Sequence, residues 1–336
     1  MERTARLNIL IVKLSSLGDV VHAMPAVQDI RRAFPQANID WVVEKGFAPL
    51  VQRCEGVRRV IPCELRRWRK APFAVATRTQ WKTFKTELQA EAYDAVIDLQ
   101  GLTKSALVAW LARLAPGGKR YALANRTEGS GYEAPTRWVA DVALRIEPHV
   151  HAVQRSRLLC AGALGYVLPA DEIYGLHPQP GHERVALGTL TARPSVALVH
   201  GTSRADKQWP AAQWVALAKW LDAAGYDVAL LHGTDEEQAR SEAMARAMPH
   251  AVVWPRLALD ALTDALAGCA GVIGVDSGLS HIAVALDLPH VQIYNFDTAW
   301  RTGPVDRARQ RCVYAQPTPK VEAVCQAWLA VTGRAS

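Results

Sequence analysis

The apolar positions of this chain fall into short β-branched runs separated by longer stretches of helical spacing. Residues 8–13 form an aliphatic run ending in Ser15-Ser16-Leu17-Gly18-Asp19, after which Val20, Val21, Met24, Val27 and Ile30 recur at helical intervals. The predicted order is strand, loop, helix. Runs at 39–43, 60–62 and 95–99 repeat the strand pattern, with helix-like stretches at 48–53 and 104–114. A loop-rich stretch at 116–135 precedes predicted helices at 138–144 and 152–164, and the proline-bounded segment 169–194 reads as a connection between two halves. The second half starts afresh. Its predicted strands at 196–200, 227–232, 252–254, 271–275 and 290–294 alternate with helices at 211–224, 236–248, 259–267 and 278–285, and a helix at 321–331 closes the series. Strands alternating with helices imply parallel sheets. Two such series predict two doubly wound α/β domains facing one cleft, with ligands at the carboxyl ends of the strands.

The 336 residues, half of them hydrophobic and 21% charged, leave room for two real cores and exclude a mainly disordered chain. The early apolar run is far short of the ~20 residues of a membrane span. Lys13 ends it with no small-residue cleavage site behind, so neither a transmembrane nor a signal segment is expected and the protein is placed in the cytoplasm. Six scattered cysteines without a Cys-x-x-Cys predict neither a zinc site nor a disulfide framework.

The net charge of +7 is unevenly spread, with +8 in residues 1–180 and −1 in the remainder. Residues 65–86 hold Arg66, Arg67, Arg69, Lys70, Arg78, Lys82 and Lys85 with no acid, interleaved with Trp68, Phe73, Trp81 and Phe84. A solvated helix face is one reading of this segment and an anionic partner the other. No nucleic-acid module accompanies it and the excess is local, so a phosphorylated lipid or sugar fits better than nucleic acid.

The first loop lacks Gly-x-Gly-x-x-Gly and the chain has no Gly-Lys-Ser/Thr, which removes the nicotinamide and P-loop readings. Asp19, at a strand end where a helix begins, suits a carboxylate that accepts a proton. It suits equally a first-turn acid or cap worth ~0.5–2 kcal/mol, and Ser15 and Ser16 share that ambiguity. In the second half, Gly201-Thr202-Ser203-Arg204-Ala205-Asp206-Lys207 puts two hydroxyls and two cations in a loop after a strand, a composition suited to a diphosphate or to plain surface solvation. Gly274-Val275-Asp276-Ser277-Gly278-Leu279-Ser280-His281 reads strand, turn, helix start, where backbone amides favour an anion. His281 falls one turn along, as a ligand contact or a satisfied core histidine. Glu236 and Glu237 follow another strand end, where a carboxylate accepts from ribose hydroxyls or simply begins a helix. The chain has no Asp-x-Asp, and no carboxylate is matched to the His149-Val150-His151 pair in its proline-flanked loop, so no catalytic metal is expected.

In this order the motifs resemble the glycosyltransferase family 9 heptosyltransferases over nearly the whole chain. The resemblance runs from Ile11-Val12-Lys13-Leu14-Ser15-Ser16-Leu17-Gly18-Asp19-Val20 through Asp40-Trp41-Val42-Val43-Glu44, Arg66-Arg67-Trp68-Arg69-Lys70-Ala71 and Tyr93-Asp94-Ala95-Val96-Ile97-Asp98. It continues with Gln100-Gly101-Leu102, Lys104-Ser105, Asp206-Lys207-Gln208-Trp209-Pro210 and Asp276-Ser277-Gly278-Leu279-Ser280-His281. The Arg-Arg-Trp-Arg-Lys block favours the family members that add the first heptose. The chain departs from the family's Tyr-Gly-Pro-Thr at Tyr294-Asn295-Phe296-Asp297-Thr298.

The resemblance implies a GT-B fold, two Rossmann-like domains facing a central cleft. Residues 1–175 would bind the acceptor, 190–316 the nucleotide sugar, and a C-terminal helix in 317–336 would pack back on the first domain. It implies inverting transfer of L-glycero-D-manno-heptose from ADP-heptose to the inner Kdo of Kdo2-lipid A, in building the lipopolysaccharide inner core. Asp19 would be the general base, and Lys207 with Thr202 and Ser203 would stabilise the departing diphosphate. Asp276, Ser277, Gly278 and His281 would hold the nucleotide sugar, and Glu237 or Glu236 its ribose. On the acceptor side stand Ser15, Ser16, Gly18, Gln100 and Lys104, with Arg66, Arg67, Arg69 and Lys70 meeting Kdo carboxylates and lipid phosphates. No cofactor or metal is implied, ADP-heptose being a substrate. A monomer lying peripherally on the anionic cytoplasmic face of the inner membrane is expected, without nucleic acid. Addition of a second heptose to an already heptosylated acceptor, and a non-catalytic anionic-lipid module, are the alternatives.

Overall fold

The fold, taken from a computed structural model, is described for residues 6–179, 193–305 and 308–333. The chain forms two compact units, Met1–Leu176 and His177–Ser336. Of the connection expected at 169–194, residues 180–192 lie outside the described residues.

The first unit is built on β1 (Asn8–Val12), β2 (Asn38–Glu44), β3 (Val57–Cys63), β4 (Tyr93–Asp98), β5 (Leu114–Leu123) and β6 (Val142–Leu144). Its helices are α1 (Leu17–Ala33), α2 (Ala48–Val51), α3 (Leu65–Lys70), α4 (Val75–Gln89), α5 (Thr103–Leu111), α6 (Pro135–Val139) and α7 (Ala152–Leu164). The second unit is built on β7 (Ser195–Val199), β8 (Asp227–Leu230), β9 (Ala251–Val253), β10 (Gly271–Val275), β11 (His290–Tyr294) and β12 (Gln310–Tyr314). Its helices are α8 (Ala211–Ala223), α9 (Asp235–Ala245), α10 (Leu259–Ala267), α11 (Gly278–Ala285), α12 (Ala299–Thr302) and α13 (Val321–Val331).

Both sheets are parallel, with orders β3-β2-β1-β4-β5-β6 and β12-β11-β10-β7-β8-β9. The order is the same in both units, two strands laid out to one side of the first and three to the other. Each unit therefore has one switch point, between β1 and β4 and between β7 and β10, where successive crossovers diverge and leave a crevice at the strand ends. Central strands covered on both faces read as continuous apolar runs. Leu10 and Val12 of β1, with Leu14 beyond it, accordingly pack with Phe84 and Leu88 of α4 and Val108 of α5.

Two expectations give way. The stretch 116–135 is not all loop, since β5 runs through Pro116, Gly117 and Gly118 to Leu123, with its register against β4 shifted between Tyr93 and Ala95. In place of a helix over 138–144 the chain forms the short α6 and then β6. Within the second unit the closing helix α13 packs on β11, β12 and α8. Val324, Cys325, Trp328 and Val331 make an apolar stripe that this sheet buries. The Trp328 indole meets the ring of Tyr226 edge-on at 5.7 Å, and a Cβ on Gly271 would lie 2.7 Å from it, so the glycine makes room for the ring. Trp328→Ala is expected to cost the second unit about 3–5 kcal/mol, measured by denaturant unfolding followed by far-ultraviolet circular dichroism.

Candidate functional site

The chemically active side chains gather at the two switch points. In the first unit the loop after β1 is held by the loop after β4: the backbone N–H groups of Leu14 and Ser15 donate to Gln100 Oε1 at 3.1 and 3.0 Å. Asp98, buried at the end of β4, accepts from Gln100 N, Gly101 N and Ser105 Oγ. Burial pushes its carboxyl up to about 6, against the pull of those three hydrogen bonds. Lys104 Nζ donates to Ser15 Oγ at 2.8 Å. Four expected residues, Ser15, Ser16, Gln100 and Lys104, thus form one constellation around the start of α1, where Gly18 and Asp19 lie.

Asp19 takes the capping part that its position allowed and keeps its second oxygen beside two cations. Its Oδ2 accepts from the Ser16 N–H at 3.1 Å and the Ser16 Oγ at 2.8 Å, a capping arrangement at the helix start. Its Oδ1 lies 3.7 Å from Lys13 Nζ and 3.5 Å from an Arg155 guanidinium nitrogen, while the side chain remains 35% exposed. Burial opposes its ionisation, yet Lys13, Arg155, His22 and the Ser16 hydrogen bond outweigh burial and hold the carboxyl well below the usual range. Lys13 is 2% exposed, donates to Leu99 O at 3.0 Å, and is lowered to about 8 by burial, which Asp19 only partly offsets. Arg155, on α7, also donates to Thr127 Oγ1 at 3.2 Å.

Lys13 and Arg155 were not among the expected site residues. Their signal was a charge at a position that periodicity assigns to the core: a lysine closing a buried strand, and an arginine on the buried face of α7. Two buried cations are costly unless paired, so each marks a carboxylate.

The basic segment 65–86 is helical, in α3 and α4. Arg66 lies close enough to Lys104 to help lower its proton affinity, after burial, and interacts with Glu44. Arg67 turns instead to Glu64 at 3.0 Å, and Arg69 and Lys70 are exposed. The His149 pair has a carboxylate after all: His149 Nδ1 is 3.1 Å from Glu128 Oε2, on an exposed surface, while His151 caps α7 by accepting from Val153 N. Among the described residues no three His, Cys, Asp or Glu side chains are grouped to hold a metal ion.

In the second unit Lys207 Nζ donates to Asp276 Oδ2 at 2.6 Å, and His281 Nε2 lies 3.4 Å from Asp276 Oδ1. Thr202 Oγ1 donates to the Asp276 carbonyl at 3.1 Å and Thr302 Oγ1 to its carboxylate at 3.5 Å. Burial works against the Asp276 carboxylate, but His281 and Lys207 keep it well below the usual range. Ser277 and Gly278 open α11 beside this cluster, and the Ser277 Oγ is buried without a hydrogen-bond partner. The close approach of α11 depends on Gly274, where a Cβ would lie 2.4 Å from Ser280 Oγ and 2.7 Å from Val199 Cβ. Of the two candidate glutamates, Glu237 accepts from Gly233 N at 2.7 Å and would meet a Cβ on Gly201 at 2.5 Å, whereas Glu236 is exposed on α9. Ser203 is exposed in the loop, and Arg204 pairs with Asp206.

The chain matches the model of glycosyltransferase family 9 (heptosyltransferase) over residues 81–329. It is 38% identical over 297 residues to lipopolysaccharide heptosyltransferase 1 of Escherichia coli (strain K12), covering 86% of this chain and 88% of that protein. The solved structure of E. coli heptosyltransferase WaaC with ADP superposes with a TM-score of 0.83 at 34% identity, over 95% of this chain and 98% of that one. The structure of E. coli heptosyltransferase WaaC with ADP-2-deoxy-2-fluoro heptose gives 0.78 with the same identity and coverage.

The Asp19 environment has a titration signature. Folded Lys13 releases its proton near pH 8 and an unfolded lysine near 10.5, so between these values the unfolded chain binds more protons and this residue's contribution to stability rises with pH. Side-chain NMR titration is expected to place Lys13 near pH 8 and to find Asp19 ionised throughout the neutral range. Lys13→Met is expected to raise the Asp19 midpoint; an unmoved midpoint would assign that role to Arg155 alone.

Proposed function

The chain belongs to glycosyltransferase family 9, and we propose from that premise that it moves L-glycero-D-manno-heptose from ADP-heptose to the inner Kdo of Kdo2-lipid A, with inversion. It is a glycosyltransferase of lipopolysaccharide synthesis with two doubly wound domains of the GT-B class. The observation that carries the mechanism is the state of Asp19: a carboxylate at the first unit's switch point, kept ionised by Lys13 and Arg155 and still partly open.

On this reading the acceptor hydroxyl gives its proton to Asp19 as its oxygen attacks the anomeric carbon. The bond to ADP breaks on the opposite side, and the electron pair leaves with the diphosphate. A carboxylate held so far below its usual range is a weak base, so proton transfer belongs late in the step, when the attacking hydroxyl has become acidic. Lys207, which keeps two N–H donors beyond the one given to Asp276, meets the departing diphosphate with Thr202 and Ser203. Ser277, Gly278, Asp276 and His281 shape the nucleotide-sugar side, and Glu237, lying against Gly201, is the better placed acid for ribose than exposed Glu236. The neighbouring structures with ADP and with ADP-2-deoxy-2-fluoro heptose support an adenosine-diphosphate donor.

Ser15, Ser16, Gly18, Gln100 and Lys104 flank the acceptor, and Arg66, Arg67, Arg69 and Lys70 face its carboxylates and phosphates. No described helix is long and apolar enough to cross a membrane, and the basic segment suits peripheral contact with an anionic bilayer.

The test is incubation of the protein with ADP-heptose and Kdo2-lipid A in the presence of chelator, following ADP release and acceptor mass. A heptose-sized gain is expected. Asp19→Ala is expected to lower kcat ~10²–10⁴-fold and Lys207→Met about 10²–10³-fold. Turnover that survives Asp19→Ala removes the base assignment, and transfer only to an already heptosylated acceptor makes this a second-step enzyme. If protonated Lys13 supports Asp19, activity falls as pH rises through about 8. Lys13→Arg is expected to move that alkaline limb upward, and a limb that stays in place detaches it from Lys13.

A further inference from the structure

Between α3, α4 and α5 the first unit forms a cavity of about 430 Å³, open on one side, whose walls are Leu65, Trp68, Pro72, Thr77, Trp81 and Leu107. It is within the size range of small-molecule sites. Trp68 meets Trp81 edge-on at 5.6 Å, and its Nε1 donates to Gln80 Oε1 at 2.9 Å, so its indole N–H is already satisfied by the protein. Arg69, Arg78 and Lys104 supply the charged part of the lining. Next to Pro72, in the turn between α3 and α4, Phe73 is 82% and Val75 80% exposed, and Leu107 is 41% exposed.

Lys104 belongs both to this cavity and to the Asp19 constellation, since its Nζ donates to Ser15 Oγ. One turn further along α5, Leu107 belongs to the cavity alone. A molecule reaching from one place to the other meets, in order, a hydroxyl-binding loop, cations and an apolar hollow. That sequence describes an amphiphile with a sugar end, an anionic middle and an aliphatic tail. The surplus of cations over residues 65–86, with no acid among them, is complementary to the anionic middle, and the tryptophan and aliphatic walls to the tail. A peptide or nucleobase would bring polar edges that these walls leave unpaired.

We propose that this cavity holds an acyl chain of the lipid acceptor, which makes recognition of the lipid part of substrate binding and not a consequence of membrane proximity alone. The proposal rests on the lipid-acceptor reading above. Each buried methylene is worth about fourfold in affinity, so chain length is a sensitive probe.

Two measurements separate the proposal from the reading it rests on. In the first, calorimetry compares dodecyl phosphate, below its critical micelle concentration, with butyl phosphate. Saturable binding is expected, tighter for the longer chain by about tenfold or more. Thr77→Trp, which fills the cavity, and Leu107→Asp, at an exposed wall position, should each remove most of that difference. In the second, KM is compared for Kdo2-lipid A and its fully deacylated form. The deacylated acceptor should show a higher KM, and Thr77→Trp should bring the two together. Equal binding of the two phosphates, or a chain preference that survives both substitutions, overturns the proposal. Transfer to both acceptors with equal KM also overturns it and leaves the transfer reading standing. Chain-dependent binding without transfer to either acceptor supports the cavity and overturns the acceptor assignment.

Discussion

A strand whose two neighbours are reached by crossovers running in opposite directions cannot have its carboxyl end covered by both, and this constraint locates the central groups of both sites. In each unit the third and fourth strands lie on opposite sides of the first. The crevice this leaves is lined chiefly from two loops. In the first unit they carry Lys13 to Asp19 after β1 and Asp98 to Lys104 after β4, cross-linked through Gln100. In the second they carry Thr202 to Lys207 after β7 and Asp276 to His281 after β10, cross-linked through Lys207. The equivalence is topological, since the side chains differ: the first crevice centres on a carboxylate pinned between cations, the second on a cation pinned to a carboxylate.

Asp19 carries the larger investment. Burying Lys13 and Arg155 beside it costs desolvation that a surface acid would avoid, and the lowered proton affinity of Lys13 reflects that cost. A simple helix cap needs neither cation, because the Ser16 hydrogen bonds suffice for it. The same cations weaken Asp19 as a base. The two facts agree if the group is needed ionised and fixed more than strongly basic, with the reaction supplying the acidity of the incoming hydroxyl. An acceptor rich in carboxylate and phosphate groups would also offset the local positive charge and raise the basicity of Asp19 as it binds.

Much of this was legible in the chain. The alternation of β-branched runs with helical spacing revealed nine of the twelve strands that the described residues form. The three that escaped, β5, β6 and β12, lack a β-branched run: β5 carries Pro116, Gly117 and Gly118 near its start, β6 has three residues, and β12 begins with Gln310 and Arg311. The loop residues at strand ends were found for the same topological reason. Lys13 and Arg155 were not: Arg155 meets Asp19 from a distant part of the chain, and the charge of Lys13 at the end of a buried strand reads as the strand's close until its pairing with Asp19 is seen.

A carboxylate in the site proposed for a diphosphate is at first sight misplaced, and its geometry explains why it is tolerated. Asp276 is buried and directs its oxygens inward, one to Lys207 and the other towards His281 and Thr302. Its charge is therefore spent on holding a partly buried lysine in one rotamer, which an unpaired ammonium on a flexible stem would not keep. The Lys207 and Asp276 charges offset one another, so attraction of an anion by Coulomb force alone is weakened here. Recognition then falls to directed donors: the two remaining N–H bonds of Lys207, the hydroxyls of Thr202 and Ser203, and the Ser277 hydroxyl and amides at the start of α11. Such a site discriminates by where oxygens lie and not by how much charge they bear. That is the property a transferase needs if it is to stabilise the diphosphate as it departs without trapping it afterwards.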